Sequence, residues 1–173
     1  MRTKILSLQQ LLPHLATHRH AGETIVFTNG CFDLLHIGHI RYLEEAKTLG
    51  DRLVVGVNSD RSVRHLFKGE GRPIIPDHQR AEVLSALESV DYVVIFEEPD
   101  PLNVIKAIQP QVLVKGGDWT PDRIVGKEFV EERGGKVRTI PLIPELSTTM
   151  IIQKILGAHG FRPTAPDSVP PKS

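Results

Sequence analysis

Two histidines three residues apart, His36 and His39, form the pattern in this sequence that most strongly indicates chemistry. They follow the short apolar run Thr24–Gly30 and open a segment with helical spacing, with Gly38 between them. The free N–H groups and the positive dipole end of a helix N-terminus attract phosphate. Two imidazoles add hydrogen bonds to phosphate oxygens, and glycine lets a phosphate approach the backbone closely. The pattern therefore predicts a phosphate site at this turn.

The histidine pair has alternative interpretations, both structural and as a metal site. A helix-capping or a core histidine is the structural alternative. A zinc site needs a third ligand at a definite spacing, and none is evident. The sequence contains no GxxxxGK[ST] and no GxGxxG after the first apolar run, which argues against a P-loop and against a dinucleotide site. The predicted phosphate loop is therefore of another kind.

Composition excludes several classes of protein. The chain has 173 residues, 40% hydrophobic and 24% charged, which fits a single domain with a full core. Lys plus Arg and Asp plus Glu both number 21, so no global basic field exists to hold nucleic acid or an anionic membrane. Cys31 is the only cysteine, which excludes an internal disulfide and indicates a reducing compartment. With no signal-peptide pattern and no apolar run near ~20 residues, we expect a cytoplasmic protein.

Short runs rich in Val and Ile alternate with segments of helical spacing. The predicted strands are Thr24–Gly30, Asp51–Asp60, Val90–Glu98, Gln111–Asp118 and Lys136–Pro144. The predicted helices are Ile40–Leu49, Asp77–Leu87, Pro101–Ile108, Ile124–Glu132 and Thr149–Leu156. Regular alternation implies right-handed crossovers. The sequence therefore predicts an α/β fold, a doubly wound parallel sheet of about five strands with helices on both faces.

The chain divides into three parts. Apolar residues at helical spacing between Ile5 and His18 predict a helical extension over residues 1–20. One globular domain is expected over 21–158. The remainder, 159–173, is rich in Pro and poor in apolar residues, so we expect it to be disordered.

Polar residues end or follow four of the predicted strands. In an open parallel sheet, ligands bind outside the carboxyl ends of the strands, where the winding reverses. Asn29–Gly30, Asn58–Asp60, Lys115–Asp118 and Ser147–Thr149 are the groups that meet at this rim. Each has a structural alternative: Lys115–Asp118 suits a plain turn, and Ser147–Thr149 suits a helix cap that also faces phosphates. Helix capping is the preferred interpretation of Asp60.

The motifs together resemble one known family. Asn29–Asp33 followed by His36-Ile37-Gly38-His39 is similar to the nucleotidyltransferases marked by HxGH, and Ser147-Thr148-Thr149 matches their second signature. The likeness extends from Thr24 to Leu156 and includes GVNSDRSV, GRPIIPDHQRAEVLSALESVDYVVIF, VLVKGGDW, IVGKEFVEERGGKV and IPLIPELSTTMIIQKI. These segments are most similar to the members that make ADP-heptose. The resemblance implies a Rossmann-like nucleotidyltransferase domain over 21–158.

The resemblance also implies a reaction. AMP would pass from ATP, with Mg²⁺, to D-glycero-β-D-manno-heptose 1-phosphate, giving pyrophosphate and ADP-heptose for lipopolysaccharide core or related glycans. His36 and His39 would hold the α- and β-phosphate oxygens. Arg72 and Lys68, on the KGEGR loop, would reach the sugar phosphate or the pyrophosphate. No side chain is assigned to a metal. A homodimer is expected, as is a separate heptose kinase in place of the sugar kinase to which many relatives are fused.

The remaining site residues are assigned by position on the rim. Nucleotide contacts are predicted for Thr28, Asn29, Gly30, Cys31, Phe32, Asp33, Gly38, Lys115, Gly116, Asp118, Ser147, Thr148 and Thr149. Sugar-phosphate contacts are predicted for Asn58, Asp60, Arg72 and Trp119. Asp33 has two interpretations: a turn residue, or a group that orients the neighbouring loop and the ribose or metal.

Two alternative functions compete with this prediction. One is a cytidylyltransferase acting on a small alcohol phosphate such as glycerol 3-phosphate. Those relatives carry an arginine in the lead into STT, where this chain has Leu142–Leu146, which argues against a cytidine site. The other is a non-catalytic nucleotide-binding domain, which would be expected to lose one histidine or the basic loop. This chain retains both histidines and the basic loop.

Overall fold

Five strands form one parallel sheet in the computed structural model, which describes residues 4–66, 71–117, 123–141 and 147–160. The strands are β1 (Ile25–Gly30), β2 (Arg52–Asn58), β3 (Tyr92–Phe96), β4 (Val112–Gly116) and β5 (Lys136–Ile140). Their order is β3-β2-β1-β4-β5, and every pairing is parallel. The predicted α/β class and the five predicted strands are confirmed.

The described helices follow the predicted pattern with one addition. They are α1 (Leu8–His20), α2 (Ile37–Lys47), α3 (Asp60–His65), α4 (Asp77–Ser85), α5 (Leu102–Ile108), α6 (Lys127–Glu132) and α7 (Thr148–Ala158). The short helix α3 was not predicted, because its sequence DRSVRH contains a single apolar residue. Ser59 caps it by accepting from the Ser62 N–H. Asp60 caps the next predicted helix, α4, because its carboxylate accepts from the Asp77 N–H at 2.8 Å.

Alternate residues of the strands supply two apolar cores, one on each face of the sheet. On β2, Leu53 and Val55 belong to the core under α2 and α4, whereas Val54 belongs to the core under α1, α5 and α6. The chain therefore winds β1–β2–β3 with helices on one face, then crosses over and continues β4–β5 with helices on the other. The winding reverses between β1 and β4, which is where such a sheet opens a crevice.

The N-terminal extension is packed against the sheet. Ser7 and Gln10 form a capping box at the start of α1, and Leu11 and Leu15 are fully buried. Ahead of the helix, the Leu6 N–H donates to the Val93 carbonyl at 3.0 Å, so the chain before α1 pairs with the outer edge of β3. This pairing covers backbone groups that an edge strand otherwise leaves open.

The end of the chain is described only as far as residue 160. The tail predicted over 159–173 therefore lies almost wholly outside the described residues. Among the described helices, none combines the length and the apolar character that a bilayer span requires.

Gly56 provides a test of the packing of the central strands. A Cβ at this position would lie 2.8 Å from Cζ of the buried Phe27 ring. We expect Gly56→Ala to lower the free energy of unfolding by about 1–3 kcal/mol through overpacking. Gly157→Ala in α7 is the control, because no atom lies within 4 Å of its added Cβ. Urea unfolding of both variants measures the effect, and equal losses would contradict the packing described.

Candidate active site

The crevice between β1 and β4 brings two predicted site residues together. Val114 on β4 pairs with Thr28 on β1, so the next residues along each strand, Lys115 and Asn29, are neighbours at the carboxyl edge. The Lys115 ammonium donates to the Asn29 side-chain oxygen at 2.5 Å. Lys115 is only 9% exposed. The structure thus places a nearly buried cation at the point where the winding reverses.

His36 and His39 stack on one another at the start of α2. The helix begins at Ile37 with His36 in the N-cap position, yet the His36 side chain makes no capping hydrogen bond. The two ring centroids lie 4.0 Å apart with 29° between the planes. Phe32 packs edge-on against His39 at 5.4 Å. The geometry disfavours the capping interpretation and leaves two adjacent imidazoles beside the free N–H groups of a helix N-terminus.

Burial lowers the pKa of both imidazoles, which favours their neutral forms. Desolvation, and secondarily the neighbouring His36, lowers the pKa of His39 to about 4. Desolvation also lowers the pKa of His36. In the described part of the chain, the Nδ1 atoms of both rings are buried without a hydrogen-bond partner. A neutral imidazole has one N–H donor and one acceptor nitrogen, and each ring therefore has hydrogen-bonding capacity that the described residues do not use.

Asp33 organises the loop that carries Arg72. Its carboxylate is 4% exposed and accepts from the Ile74 and Ile75 N–H groups, at 2.9 Å each, and from Nε of Arg72. Of the two interpretations of Asp33, these contacts favour orientation of the neighbouring loop. The Arg72 side chain is 13% exposed, so the ion pair fixes a largely enclosed guanidinium near the site.

Arg80 belongs to this edge of the sheet and was missed by the sequence analysis. It lies on α4, is 1% exposed, and donates to the carbonyls of Cys31, Asn58 and Ile75 and to the Asp60 carboxylate. A signal was present in the sequence, because Arg80 shares the buried face of the predicted helix with Ala81 and Leu84. An arginine on an apolar face needs internal acceptors.

Three residues predicted to contact ligands also make hydrogen bonds within the protein. Thr28 is fully buried, and its hydroxyl lies 2.7 Å from the Tyr42 hydroxyl, which fastens α2 to β1. The Asn58 amide donates to the Ser62 hydroxyl at 2.9 Å and is 3% exposed. Asp60 accepts from the Asp77 N–H at 2.8 Å. These contacts hold Thr28, Asn58 and Asp60 within the protein, and their assignment as ligand contacts stays a prediction.

The start of α7 also contacts the loop that precedes His36. Ser147 caps α7 by accepting from the Met150 N–H, as predicted. The Thr148 hydroxyl donates to the Leu34 carbonyl at 3.3 Å, which ties the start of α7 to the loop before His36. Gly30 ends β1 beneath the Phe32 ring, where a Cβ would lie 3.2 Å from that ring.

The remaining predicted site residues lie on β4, at the starts of α2 and α7, in the loop after β1, or outside the described residues. Cys31 is half-buried, and Gly116 ends β4 in register with Ile140. Thr149 lies in the first turn of α7 and Gly38 in the first turn of α2. Lys68, Asp118 and Trp119 lie outside the described residues. Their assignments remain predictions.

Comparison with known proteins agrees with this geometry. The profile of the family described as Cytidylyltransferase-like matches residues 27–154, which include the sheet, the histidine pair and the start of α7. The chain belongs to the cytidylyltransferase-like family. Membership in this family identifies the chain as a nucleotidyltransferase, as the HxGH motif predicted.

Individual relatives in this family are close. The chain is 55% identical over 152 residues to a protein named Bifunctional protein HldE from Geotalea uraniireducens, covering 88% of this chain and 31% of the relative. A protein of the same name from Geobacter sulfurreducens is 52% identical over 157 residues, covering 91% and 32%. The chain thus spans about a third of the length of these cytidylyltransferase-like relatives.

A solved structure supports the fold. The lipopolysaccharide core biosynthesis protein from Thermoplasma volcanium GSS1 superposes with a TM-score of 0.58 at 31% identity, covering 70% of this chain and 98% of that one. This likeness supports the α/β fold described above.

The low pKa of His39 predicts a dependence of stability on pH. In the unfolded chain this pKa returns to about 6.5, compared with about 4 in the folded protein. Between these values the unfolded state binds more protons, so stability falls as pH falls from about 6.5 to 4. Because a pKa difference of one unit is worth about 1.4 kcal/mol, His39 should cost the folded state about 2 kcal/mol at pH 5.

Urea unfolding at pH 7 and pH 5 measures this contribution. We expect the wild-type chain to lose about 2 kcal/mol more than His39→Gln between the two pH values, because glutamine does not titrate. The comparison cancels the carboxylates common to both chains. An identical pH dependence in both chains would show that His39 is not desolvated.

Proposed function

We propose that this chain transfers AMP from ATP to D-glycero-β-D-manno-heptose 1-phosphate, producing ADP-heptose and pyrophosphate. The observation that carries the proposal is the stacked pair His36 and His39 at the N-terminus of α2, beside the crevice between β1 and β4. The choice of acceptor rests on the resemblance of the sequence segments and is supported by the likeness to a lipopolysaccharide core biosynthesis protein.

The chemistry needs placement and charge stabilisation more than covalent catalysis. An oxygen of the sugar 1-phosphate attacks the α-phosphorus of ATP in line, a new P–O bond forms, and the bond to pyrophosphate breaks with its electron pair. Charge then accumulates on the α-phosphoryl and leaving-group oxygens. His36 and His39 donate hydrogen bonds to these oxygens from neutral rings, and one such contact is worth on the order of 3 kcal/mol.

Arg72 supplies positive charge on the acceptor side. Asp33 holds its Nε, which leaves the terminal guanidinium nitrogens for the sugar phosphate or the pyrophosphate. Lys115 lies at the head of the crevice, where its charge favours the nucleotide phosphates. We assign Mg²⁺ to the ATP phosphates, because the described residues include no cluster of three metal-ligating side chains. No step of the proposed mechanism passes through the ion.

The acceptor also defines the preceding reaction. A sugar 1-phosphate requires a kinase that phosphorylates a heptose at its anomeric hydroxyl, and we propose a separate protein for that step. We further propose a cytoplasmic location, where ATP is available, and a homodimer.

A nucleotide panel tests the proposal. Purified protein is incubated with Mg²⁺, one nucleotide (ATP, GTP or CTP) and one acceptor (heptose 1-phosphate or glycerol 3-phosphate), and pyrophosphate is measured. We expect ATP with heptose 1-phosphate to exceed GTP by at least tenfold in kcat/KM, because guanine reverses the donor and acceptor pattern of adenine and leaves buried groups unpaired at ~1–3 kcal/mol each. Preference for CTP with glycerol 3-phosphate would refute this proposal and show that the chain is a cytidylyltransferase, the activity for which its family is named.

The histidine pair has its own test in the same assay. We expect His36→Ala and His39→Ala each to lower kcat by about a hundredfold with the fold intact, since each removes a transition-state hydrogen bond. His78→Ala is the matched control, because the His78 side chain is 69% exposed on α4. Activity of either site variant within a fewfold of the control would refute the mechanism. Circular dichroism checks that all three variants are folded.

A further inference from the structure

We propose that Arg80 is a positioning residue, whose buried guanidinium holds the phosphate loop (residues 31–36) and the Arg72 segment (residues 71–76) in one fixed arrangement. The inference rests on the proposed function, because it concerns how the two sides of that transfer site are aligned. Arg80 does not belong to the set of predicted ligand contacts, and its 1% exposure keeps it away from substrate.

The contacts of Arg80 join three separate stretches of chain. One terminal nitrogen donates to the Cys31 carbonyl in the phosphate loop. The other donates at 2.8 Å to the Asn58 carbonyl at the end of β2 and to the Asp60 carboxylate at the start of α3. Its Nε donates at 2.8 Å to the Ile75 carbonyl in the Arg72 segment. One planar cation therefore determines the spacing between these stretches.

Ile75 links Arg80 to the residue that faces the acceptor. Its carbonyl accepts from Arg80, while its N–H donates to Asp33 at 2.9 Å. Asp33 in turn binds Nε of Arg72. A shift of Arg80 is thus transmitted through a single residue to the pair that orients Arg72. In the other direction, the Cys31 carbonyl transmits it to the loop that leads into His36.

Helices α3 and α4 reinforce this arrangement. The Asp77 N–H donates to the Asp60 carboxylate at 2.8 Å, and the Asp60 N–H donates to the Asp77 carboxylate at 3.0 Å. Each helix therefore caps the other, with Arg80 bound to the same Asp60 oxygen. This reciprocal cap fixes the start of α4, and so the position from which Arg80 extends.

Lysine cannot reproduce these contacts. A guanidinium presents its donors in a rigid fork that reaches acceptors in several directions, whereas an ammonium concentrates three donors on one atom. The charge alone is therefore insufficient, and Arg80→Lys separates the geometric role from the electrostatic one. Displacement of reacting groups by about 1 Å typically costs about a hundredfold in rate.

Arg52 offers a matched control at the opposite edge of the sheet. It is also an arginine in a network, bound to both oxygens of Glu23 at 2.9 Å and to Asp91 at 3.4 Å, and it lies at the amino end of β2. We compare Arg80→Lys with Arg52→Lys by thermal unfolding, by kcat and KM for ATP, and by the rate at which a thiol reagent labels Cys31, the only cysteine of the chain.

We expect both variants to lower the melting temperature, but only Arg80→Lys to disturb the arrangement of the phosphate loop and the Arg72 segment. We expect Arg80→Lys to lower kcat at least tenfold, with a smaller change in KM, and to accelerate both Cys31 labelling and amide exchange at Ile74 and Ile75. Arg52→Lys should keep kcat within twofold and leave both rates unchanged. Equal effects of the two variants on kcat, or wild-type kcat in Arg80→Lys, would overturn the proposal.

The wild-type chain provides a second measurement if Arg80→Lys does not fold. Coupled loops should respond together, so saturating ATP that slows Cys31 labelling should also slow amide exchange at Ile74 and Ile75. Slower labelling without slower exchange would overturn the role of Arg80. Where Arg80→Lys does fold and accelerates labelling and exchange together, ATP that leaves Cys31 labelling of the wild-type chain unchanged would show that the proposed nucleotide site fails while the coupling stands.

Discussion

The parallel pairing of β1 with β4 is the constraint on which the site depends. It places the reversal of winding in the middle of the sheet, so the connections leaving the two strands pass to opposite faces and open a crevice between them. Asn29 and Lys115 meet there because the strand register puts them side by side. The helix that follows β1 then directs its N-terminus, and with it His36 and His39, toward the same edge.

The position of the histidine pair lowers stability but supplies hydrogen-bond donors to the site. Stacked and desolvated, the two rings lose their tendency to protonate, and their Nδ1 atoms are buried without partners among the described residues. Buried polar atoms without partners reduce stability. In return, the site presents neutral N–H donors beside the positive end of a helix. Such donors need little reorganisation when charge develops on a phosphate, which is how preorganised polar groups accelerate a reaction.

The two edges of the sheet use charged side chains differently. At the amino edge, Arg52 binds Glu23 and Asp91, and it holds the pKa of the Glu23 carboxyl well below its usual range. That network is partly solvated and ties strand starts to the end of α1. At the carboxyl edge, Arg80 is buried and binds mainly backbone carbonyls. Loop carbonyls lack the regular backbone partners of helices and strands, so when buried they need side-chain donors such as the Arg80 guanidinium.

The sequence by itself determined the sheet and predicted where the site lies. Runs of Val and Ile buried on both faces identify parallel strands, and HxGH after the first run predicts a phosphate loop, because both signals are local in the chain. Tertiary structure decided which polar residues face the crevice. Thr28 and Asn58 stand at strand ends as the predicted contacts do, yet packing against Tyr42 and Ser62 encloses them. The apolar face of α4 indicates that Arg80 is buried, but its acceptors lie in segments distant in sequence, and no local pattern identifies them.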